Sequence, residues 1–355
     1  MRSEWSWHTV LVALLVAVLG TALLPSPAHA VTSFGGEATG VWVFVPATGL
    51  VIKVTTGQIP AAGGEVEASL LVGDIPGSAT GGVVALTTGT LHSIGVALDA
   101  TDAVASQTDV SLTVSGNGIT ADFLMARSNA SCGPGPAVAG ESRLENLVIN
   151  GTPTAVTGAP NQTITLPNGT AIINEQTPSV VGTVGRLTVT ALHVTTQDTI
   201  TGAVLADVKL ATGDAQIDCQ AGSSPTGSST SGGGWIPLTP SGKGTFGVIG
   251  AIQPNSLFAG HLVYIDHNTN FSVQSTSVTS FTPGCTSQIN GDGTSSGTSV
   301  HFTVTVQDNG EPGSTDTFSI NVTDLTNVPI YSASGTLGGG AGGGGNIQAH
   351  RLRCP

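Results

Sequence analysis

The chain has 355 residues, a net charge of −13 and only 9 lysine and arginine residues. Such an acidic chain repels phosphate backbones and anionic lipid surfaces, which argues against a nucleic-acid or membrane-surface partner. Charged residues make up 9% of the chain and 50 residues are glycine, which favours short strands and tight turns over helices.

The chain begins with the three parts of a signal peptide. Arg2 lies in a short polar segment, the apolar run VLVALLVAVLGTALL follows, and PSPAHA places small residues at Ala28 and Ala30. This order predicts export and cleavage after Ala30, and the apolar run is too short to span a bilayer comfortably. Val31 follows the predicted cut, so no lipid attachment is expected there. The sequence therefore predicts a signal peptide over residues 1–30 and a secreted mature chain without a membrane span.

Residues 31–222 are predicted to form a first β domain. Many of its segments alternate apolar and polar residues, as in DVSLTV, where Val110, Leu112 and Val114 fall on one face. Period-two alternation is typical of half-buried strands. Helical turns are expected only near residues 140–145. A β-sandwich is the expected fold, and a β-solenoid is the alternative.

Residues 223–234 are rich in serine and glycine and lack periodicity, which predicts a flexible linker. Residues 235–355 are predicted to form a second β-sandwich, because HFTVTV and DTFSINV alternate in the same way as the strands before them. The sequence therefore predicts an all-β protein with two β-sandwich-like domains joined by a Ser/Gly-rich linker.

The chain contains four cysteines, Cys132, Cys219, Cys285 and Cys354. An even number in an exported chain favours disulfides. Pairing Cys132 with Cys219 and Cys285 with Cys354 keeps each bond within one predicted domain, although two other pairings remain open. A zinc site is the alternative interpretation, but the chain has no C-x-x-C spacing.

Several motifs resemble those of a known family. SRLENLVING, PNQTITLPNGTAIINEQ and GRLTVTALHV resemble the choice-of-anchor P domain, and GWIPLTPSGKGTFGVIG, GHLVYIDH and VQDNGEPGSTDTFSI resemble the companion domain that follows it. The resemblance implies an exported protein, secreted or at the cell surface, and implies no reaction. No LPxTG motif and no apolar tail follow Cys354, so free secretion is expected rather than attachment.

The densest polar cluster lies in the predicted second domain. His261, Tyr264, Asp266 and His267 share one short segment, and His350 lies in the last predicted strand. Histidine and carboxylate side chains can hold a transition metal, and this cluster is also a candidate sugar site. Strand parity, however, places His261 and His267 on one face and Asp266 on the other. Hydrogen-bonded histidines at a strand end are therefore the favoured interpretation.

A second polar cluster, formed by Asp308, Asn309, Glu311 and Asp316, lies in one predicted hairpin loop. These residues supply the oxygen ligands that calcium uses, but their spacing does not match an EF-hand. Aspartate and asparagine also stabilise turns. No cofactor is therefore predicted, and calcium is the alternative.

No catalytic residue is predicted. His193 is expected on the buried face of Leu187, Val189 and Ala191 as a core histidine. The letters GTSSG at residues 293–297 match G-x-S-x-G, but they lie in a polar stretch that no helix follows.

The sequence therefore predicts a secreted or cell-surface-associated, non-enzymatic binding or structural protein, with an extracellular glycan or surface protein as its partner. One alternative is a secreted hydrolase that uses His261, Asp266 and His267. The other is a calcium-dependent adhesion module that uses the acidic loop.

Overall fold

The computed structural model describes residues 33–219, 228–252, 257–310, 313–340, 344–350 and Cys354, so the predicted signal peptide lies outside the described residues. The described strands pair antiparallel throughout. The all-β prediction is confirmed, and antiparallel pairing excludes the β-solenoid alternative, whose successive coils stack as parallel strands.

The N-terminal half, residues 33–219, contains fifteen strands: β1 Ser33–Val45, β2 Leu50–Thr55, β3 Gly64–Leu70, β4 Gly73–Ile75, β5 Val84–Thr88, β6 Leu91–Ala97, β7 Ala100–Val114, β8 Asn117–Cys132, β9 Pro136–Glu145, β10 Val148–Ile149, β11 Thr152–Pro153, β12 Gln162–Leu166, β13 Gly169–Val181, β14 Val184–Gln197 and β15 Val204–Asp218. The C-terminal half, the described residues from 228 onward, contains nine: β16 Ser228–Pro237, β17 Lys243–Ile252, β18 Phe258–Asp266, β19 Ser272–Thr282, β20 Thr286–Ser295, β21 Thr298–Gln307, β22 Thr317–Thr323, β23 Pro329–Thr336 and β24 Gly345–Ala349.

The N-terminal half is a sandwich of two sheets. A six-stranded sheet in the order β12-β13-β14-β15-β1-β2 faces a nine-stranded sheet that is built around the long strands β7 and β8. The facing surfaces bury a common apolar core. Val110, Leu112 and Val114 of β7 lie in this core, as the alternation of apolar and polar residues predicted.

A row of irregularities crosses the six-stranded sheet and changes strand parity. Asn174 and Ala211 have positive φ angles of 53° and 50°, and the strand pairing skips both of them together with Ala191. Such a bulge reverses the face to which the following residues point. His193 therefore lies on the outer face, away from the buried side chain of Leu187. The prediction of a core histidine at this position is wrong.

The C-terminal half is a single nine-stranded sheet in the order β23-β22-β21-β20-β19-β18-β17-β16-β24. The sheet curls around its own apolar core, so that β23 comes into contact with β16. We call it the curled sheet. Because one face of each strand is buried inside the curl, the predicted alternation of Phe302, Val304 and Val306 matches the buried positions of β21.

Two predictions of local structure are wrong. Residues 140–145 are not helical but belong to β9, where they pair with β8. Residues 228–234 of the predicted linker form the first part of β16, whereas residues 223–227 lie outside the described residues. A Cβ atom at Gly232 would lie 2.4 Å from Ile347 Cδ1. The glycines of β16 therefore permit close packing in a buried strand, and this requirement produces the composition that resembles a linker.

The two halves pack against each other along a seam, formed by β3, β6 and β7 on one side and β16, β17 and β18 on the other. Ile94 and Val96 of β6 share an apolar cluster with Ile249 of β17. His92 of β6 lies against Gly247, where a Cβ atom would lie only 2.3 Å from the imidazole Cγ. Glycine at this position therefore makes room for a histidine from the other half.

Both predicted disulfides are present. Cys132 pairs with Cys219 and Cys285 pairs with Cys354, with Cα–Cα distances of 5.6 and 5.5 Å. Each bond stays within one half of the protein. Within the part of the chain that the structure describes, no helix has the length and apolar character needed to cross a membrane.

Candidate functional site

The structure divides the predicted histidine and aspartate cluster among three places. On β18, Tyr264 faces the core of the curled sheet together with Asp266, whereas His261 faces Glu67 of β3 across the seam. His267 also lies at the seam, and His350 lies just after β24. The five predicted residues therefore do not form one site, and the division on β18 follows the parity expected from the sequence.

Asp266 borders a cleft of about 520 Å³ in the curled sheet. The cleft lies where the edge strand β23 approaches the end of β16. Its walls carry Tyr331 and short polar side chains, among them Thr239, Ser319, Asn321 and Ser332. Hydroxyl and amide groups therefore surround the single carboxylate at this cleft.

A chain of hydrogen bonds fixes the carboxylate at the cleft. The Tyr331 hydroxyl donates to Asp266 Oδ2 over 3.1 Å, and the Tyr264 and Tyr331 hydroxyl oxygens lie 2.7 Å apart. Because Tyr331 uses its proton on Asp266, Tyr264 donates to Tyr331. Asp266 Oδ1 accepts the backbone N–H groups of Asn268 and Thr269 at 2.7 and 3.2 Å. The turn that ends β18 thus holds the carboxylate in one orientation.

Aromatic packing fixes the tyrosine end of this chain. The Tyr331 ring stacks on Phe271 with a centroid distance of 4.1 Å and an interplanar angle of 9°. Tyr264 packs at an angle to Tyr331 on the inner side, with centroids 5.6 Å apart. These contacts leave the Tyr331 hydroxyl a single well-defined position, so the site is organised before a ligand enters.

The ionisation states at the cleft suit binding. Burial acts to raise the pKa of Asp266, but the backbone N–H groups of Asn268 and Thr269 outweigh it and hold the pKa below its ordinary value. Burial and the charge of Asp266 raise the pKa of Tyr331 to about 12, and burial raises the pKa of Tyr264 further still. Near neutral pH the cleft therefore presents one ionised carboxylate and neutral phenols, which accept and donate hydrogen bonds.

The histidines at the seam have structural partners. His261 Nδ1 lies 3.1 Å from Ser275 Oγ and 3.6 Å from Glu67 Oε2. Burial lowers the pKa of His261 and raises that of Glu67, so the seam favours their uncharged forms. His267 Nε2 lies 2.9 Å from Thr245 Oγ1, which itself meets Thr90 across the seam at 2.6 Å. These contacts join the two halves.

His350 lies in a different arrangement at the seam. Its Nδ1 atom lies 3.1 Å from Asp102 Oδ2 of β7, and its Nε2 atom lies 2.9 Å from Ser231 Oγ of β16. Asp102 also accepts hydrogen bonds from Arg127 and Asn129. Burial acts to raise the pKa of Asp102, but Arg127 and His350 outweigh it and hold the pKa well below its usual range.

The acidic loop has a structural explanation that needs no cation. Asp308 accepts the backbone N–H groups of Gly310 and Ala349, and Asp316 accepts those of Asn309 and Ile347, all at 2.8–2.9 Å. Both aspartates thereby anchor β24, while Glu311 lies outside the described residues. Among the described residues, no group of three or more histidine, cysteine, aspartate or glutamate side chains is placed to hold a metal ion.

Sequence reasoning missed Tyr331, Asp102 and Ser231. The chain has only two tyrosines, so the position of one of them, Tyr331, in a strand of mostly polar residues was the signal that could have marked it as a site residue. Ser231 lies in the segment assigned to the linker, and no local pattern connects Asp102 with a histidine 248 residues away.

Comparison of the chain with family models, curated proteins and solved structures gave no match. The resemblance to the choice-of-anchor P family therefore stays a prediction from the sequence motifs. The function is inferred from the geometry of the described residues.

Proposed function

We propose that the protein is a secreted binding protein that holds an extracellular glycan, without turning it over, in the cleft at Asp266 and Tyr331. The observation that carries the proposal is the fixed Tyr264–Tyr331–Asp266 hydrogen-bond chain beside a cleft of about 520 Å³. That volume lies within the usual range of small-molecule sites. An ionised carboxylate that is already oriented accepts hydrogen bonds from sugar hydroxyls, and such charge-assisted bonds are the strong ones.

Binding without turnover is the role that the cleft supports. Asp266 and Tyr331 are the only titratable side chains among its described lining residues. General acid–base catalysis needs a second group that exchanges a proton at the reacting atom, and nucleophilic catalysis needs a nucleophile beside a base. The serine, threonine and asparagine side chains of the cleft instead match the hydroxyl-rich surface of a neutral saccharide.

The setting of the proposal is extracellular. The signal-peptide pattern of residues 1–30 motivates export, and two formed disulfides suit an oxidising compartment. The motifs that resemble the choice-of-anchor P family point to the same setting, either in free solution or at the cell surface.

A glycan array tests the proposal with the mature chain from residue 31. We expect neutral glycans to bind the wild type, and Asp266→Asn and Tyr331→Phe to weaken binding by about tenfold or more, since a hydrogen bond to a charged group contributes about 1.5–3 kcal/mol. Asp324→Asn is the matched control, because Asp324 also accepts backbone N–H groups in a hairpin turn but does not line the cleft. Absence of glycan binding, or equal binding by folded Asp266→Asn, contradicts the proposal.

A further inference from the structure

Three serine–histidine contacts occur in the described part of the protein, and one of them differs from the other two. Ser69 contacts His92 and Ser275 contacts His261, and in both imidazoles the Nε2 atom is buried without a partner. His350 instead uses both ring nitrogens, with Ser231 on Nε2 and a carboxylate on Nδ1. Only this contact has the order serine, imidazole, carboxylate.

The geometry of this group fits proton transfer. Asp102 is an ionised acceptor, so it holds the proton of His350 on Nδ1 and leaves the Nε2 lone pair directed at the hydroxyl of Ser231. The Oγ–Nε2 distance of 2.9 Å lies within the reach of a general base. A nucleophile beside a base that a third group orients is the arrangement by which hydroxyl nucleophiles are recognised on unrelated folds.

We propose that Ser231, His350 and Asp102 form a nucleophilic site that hydrolyses short acyl esters. The proposal concerns the seam and is independent of the glycan cleft. In the first step Ser231 Oγ attacks the ester carbonyl carbon and its proton passes to His350 Nε2. The bond to the alcohol oxygen then breaks, and His350 returns the proton to the leaving alcohol. Water, activated by His350 in the same way, cleaves the acyl-serine and releases the carboxylic acid.

The surroundings of Ser231 set the size of the acyl group. Ser231 borders a void of only about 10 Å³, which has room for about one water molecule. Ile94, Val104 and Met125 supply its apolar wall. An acetyl group, with three non-hydrogen atoms, is larger than this void and enters only when the surrounding side chains give way, and a long acyl chain needs far more space. Arg127 also lines the void and places positive charge beside the position of a developing oxyanion.

An outer cleft gives the ester a route to the seam. A cleft of about 460 Å³ lies beside the void, and Arg127 and Gln348 line both of them. Ser231 is only 4% exposed, so the wall between the two spaces must open for a substrate to reach it. Gln348 lines both spaces, and its Oε1 atom is buried and accepts no hydrogen bond, so rotation of this side chain breaks no bond at that atom.

Covalent labelling tests the proposal on the mature full chain. We expect methanesulfonyl fluoride, a reagent that transfers a group about as small as acetyl, to add once to the wild type, with the adduct mapped to Ser231, and Ser231→Ala and His350→Gln to remain unlabelled. Ser229→Ala is the matched control, because Ser229 lies two residues earlier on β16 and its buried hydroxyl has no partner. This variant should label like the wild type. Thermal melting confirms that each variant is folded.

Ester turnover provides the second readout. We expect p-nitrophenyl acetate to be hydrolysed with a kcat/KM at least about tenfold above that for p-nitrophenyl octanoate, because the void admits only a short acyl group. Ser231→Ala should lose this activity. An unlabelled wild type, an adduct on another residue, or equal turnover by folded Ser231→Ala overturns the proposal. Labelling of Ser231 without acetate turnover overturns the assignment of ester hydrolysis.

Discussion

Removal of the proton from His193 should weaken the N-terminal half. His193 of β14 bridges two neighbouring strands, with Nδ1 2.8 Å from Glu175 Oε2 and Nε2 2.7 Å from Asp207 Oδ1. Burial opposes the charge, but the two carboxylates outweigh it and raise the pKa of His193 from 6.5 to about 9. Because the pKa is higher in the folded than in the unfolded chain, the stabilisation is fully present below pH 6.5 and is lost as the pH rises through 9.

The size of this effect follows from the change in proton affinity. Each tenfold change in proton affinity corresponds to about 1.4 kcal/mol, so the rise in the pKa of His193 is equivalent to about 3 kcal/mol of stabilisation of the folded state. The side chains of Glu175 and Asp207 are 26% and 27% exposed, and water screens the pair, so we expect about 2 kcal/mol.

Urea unfolding at about pH 6 and about pH 10 measures the change in stability. Between these two pH values, the free energy of unfolding of the wild type should fall by about 2 kcal/mol more than that of His193→Gln. His301→Gln is the matched control, since it removes another histidine–aspartate contact at an exposed position. Equal pH dependence of the wild type and His193→Gln, or an NMR titration midpoint for His193 close to 6.5, would refute the reasoning.

Three other predictions test the packing and the ionisation states. Gly247→Ala should lower the free energy of unfolding by about 1–3 kcal/mol, because the added Cβ meets the His92 ring; Gly118→Ala, where a Cβ meets nothing within 4 Å, should change it by less than about 0.5 kcal/mol in the same urea titration. The absorbance titration of the two tyrosines should show no phenolate near pH 10, since the pKa of one is raised to about 12 and that of the other further; a phenolate signal at the ordinary tyrosine pKa contradicts the described cleft. Asp316→Asn should lower the free energy of unfolding by about 2–3 kcal/mol, because a fully buried carboxylate that accepts two backbone N–H groups loses its charge. Calcium should not raise the melting temperature of the wild type. A calcium-specific rise that Asp316→Asn abolishes would contradict the structural role of Asp316.

The strands and the disulfides could be predicted from the sequence. Strands follow from the local alternation of apolar and polar residues, and disulfides follow from an even number of cysteines in a chain that is expected to be exported. Alternation placed Val110 in the core, and parity separated His261 from Asp266 on β18. The reversal at the bulge before His193 could not be predicted from the sequence, because the residues that the strand pairing skips lie on neighbouring strands and are far apart in the chain.

The linker prediction failed at residues 228–234 for a related reason. Glycine frequency indicates either chain flexibility or a need for close packing, and only the neighbouring strands decide between them. Gly232 and Gly233 of β16 lie beneath side chains from β24 and from the N-terminal half. The partners of the site residues were equally inaccessible, because Tyr331 reaches Asp266 across 65 residues of the chain.

Tyrosine NMR tests the central claim most directly, because Tyr264 and Tyr331 are the only tyrosines in the chain and both belong to the hydrogen-bond chain at the cleft. Ring-labelled tyrosine therefore gives signals from this site alone. We predict that titration with a neutral glycan that binds on the array shifts the Tyr331 signal in the wild type and in Asp324→Asn, and that the shift is lost in Asp266→Asn. A glycan that binds the wild type while both tyrosine signals stay in place would contradict the assignment of the binding site to this cleft.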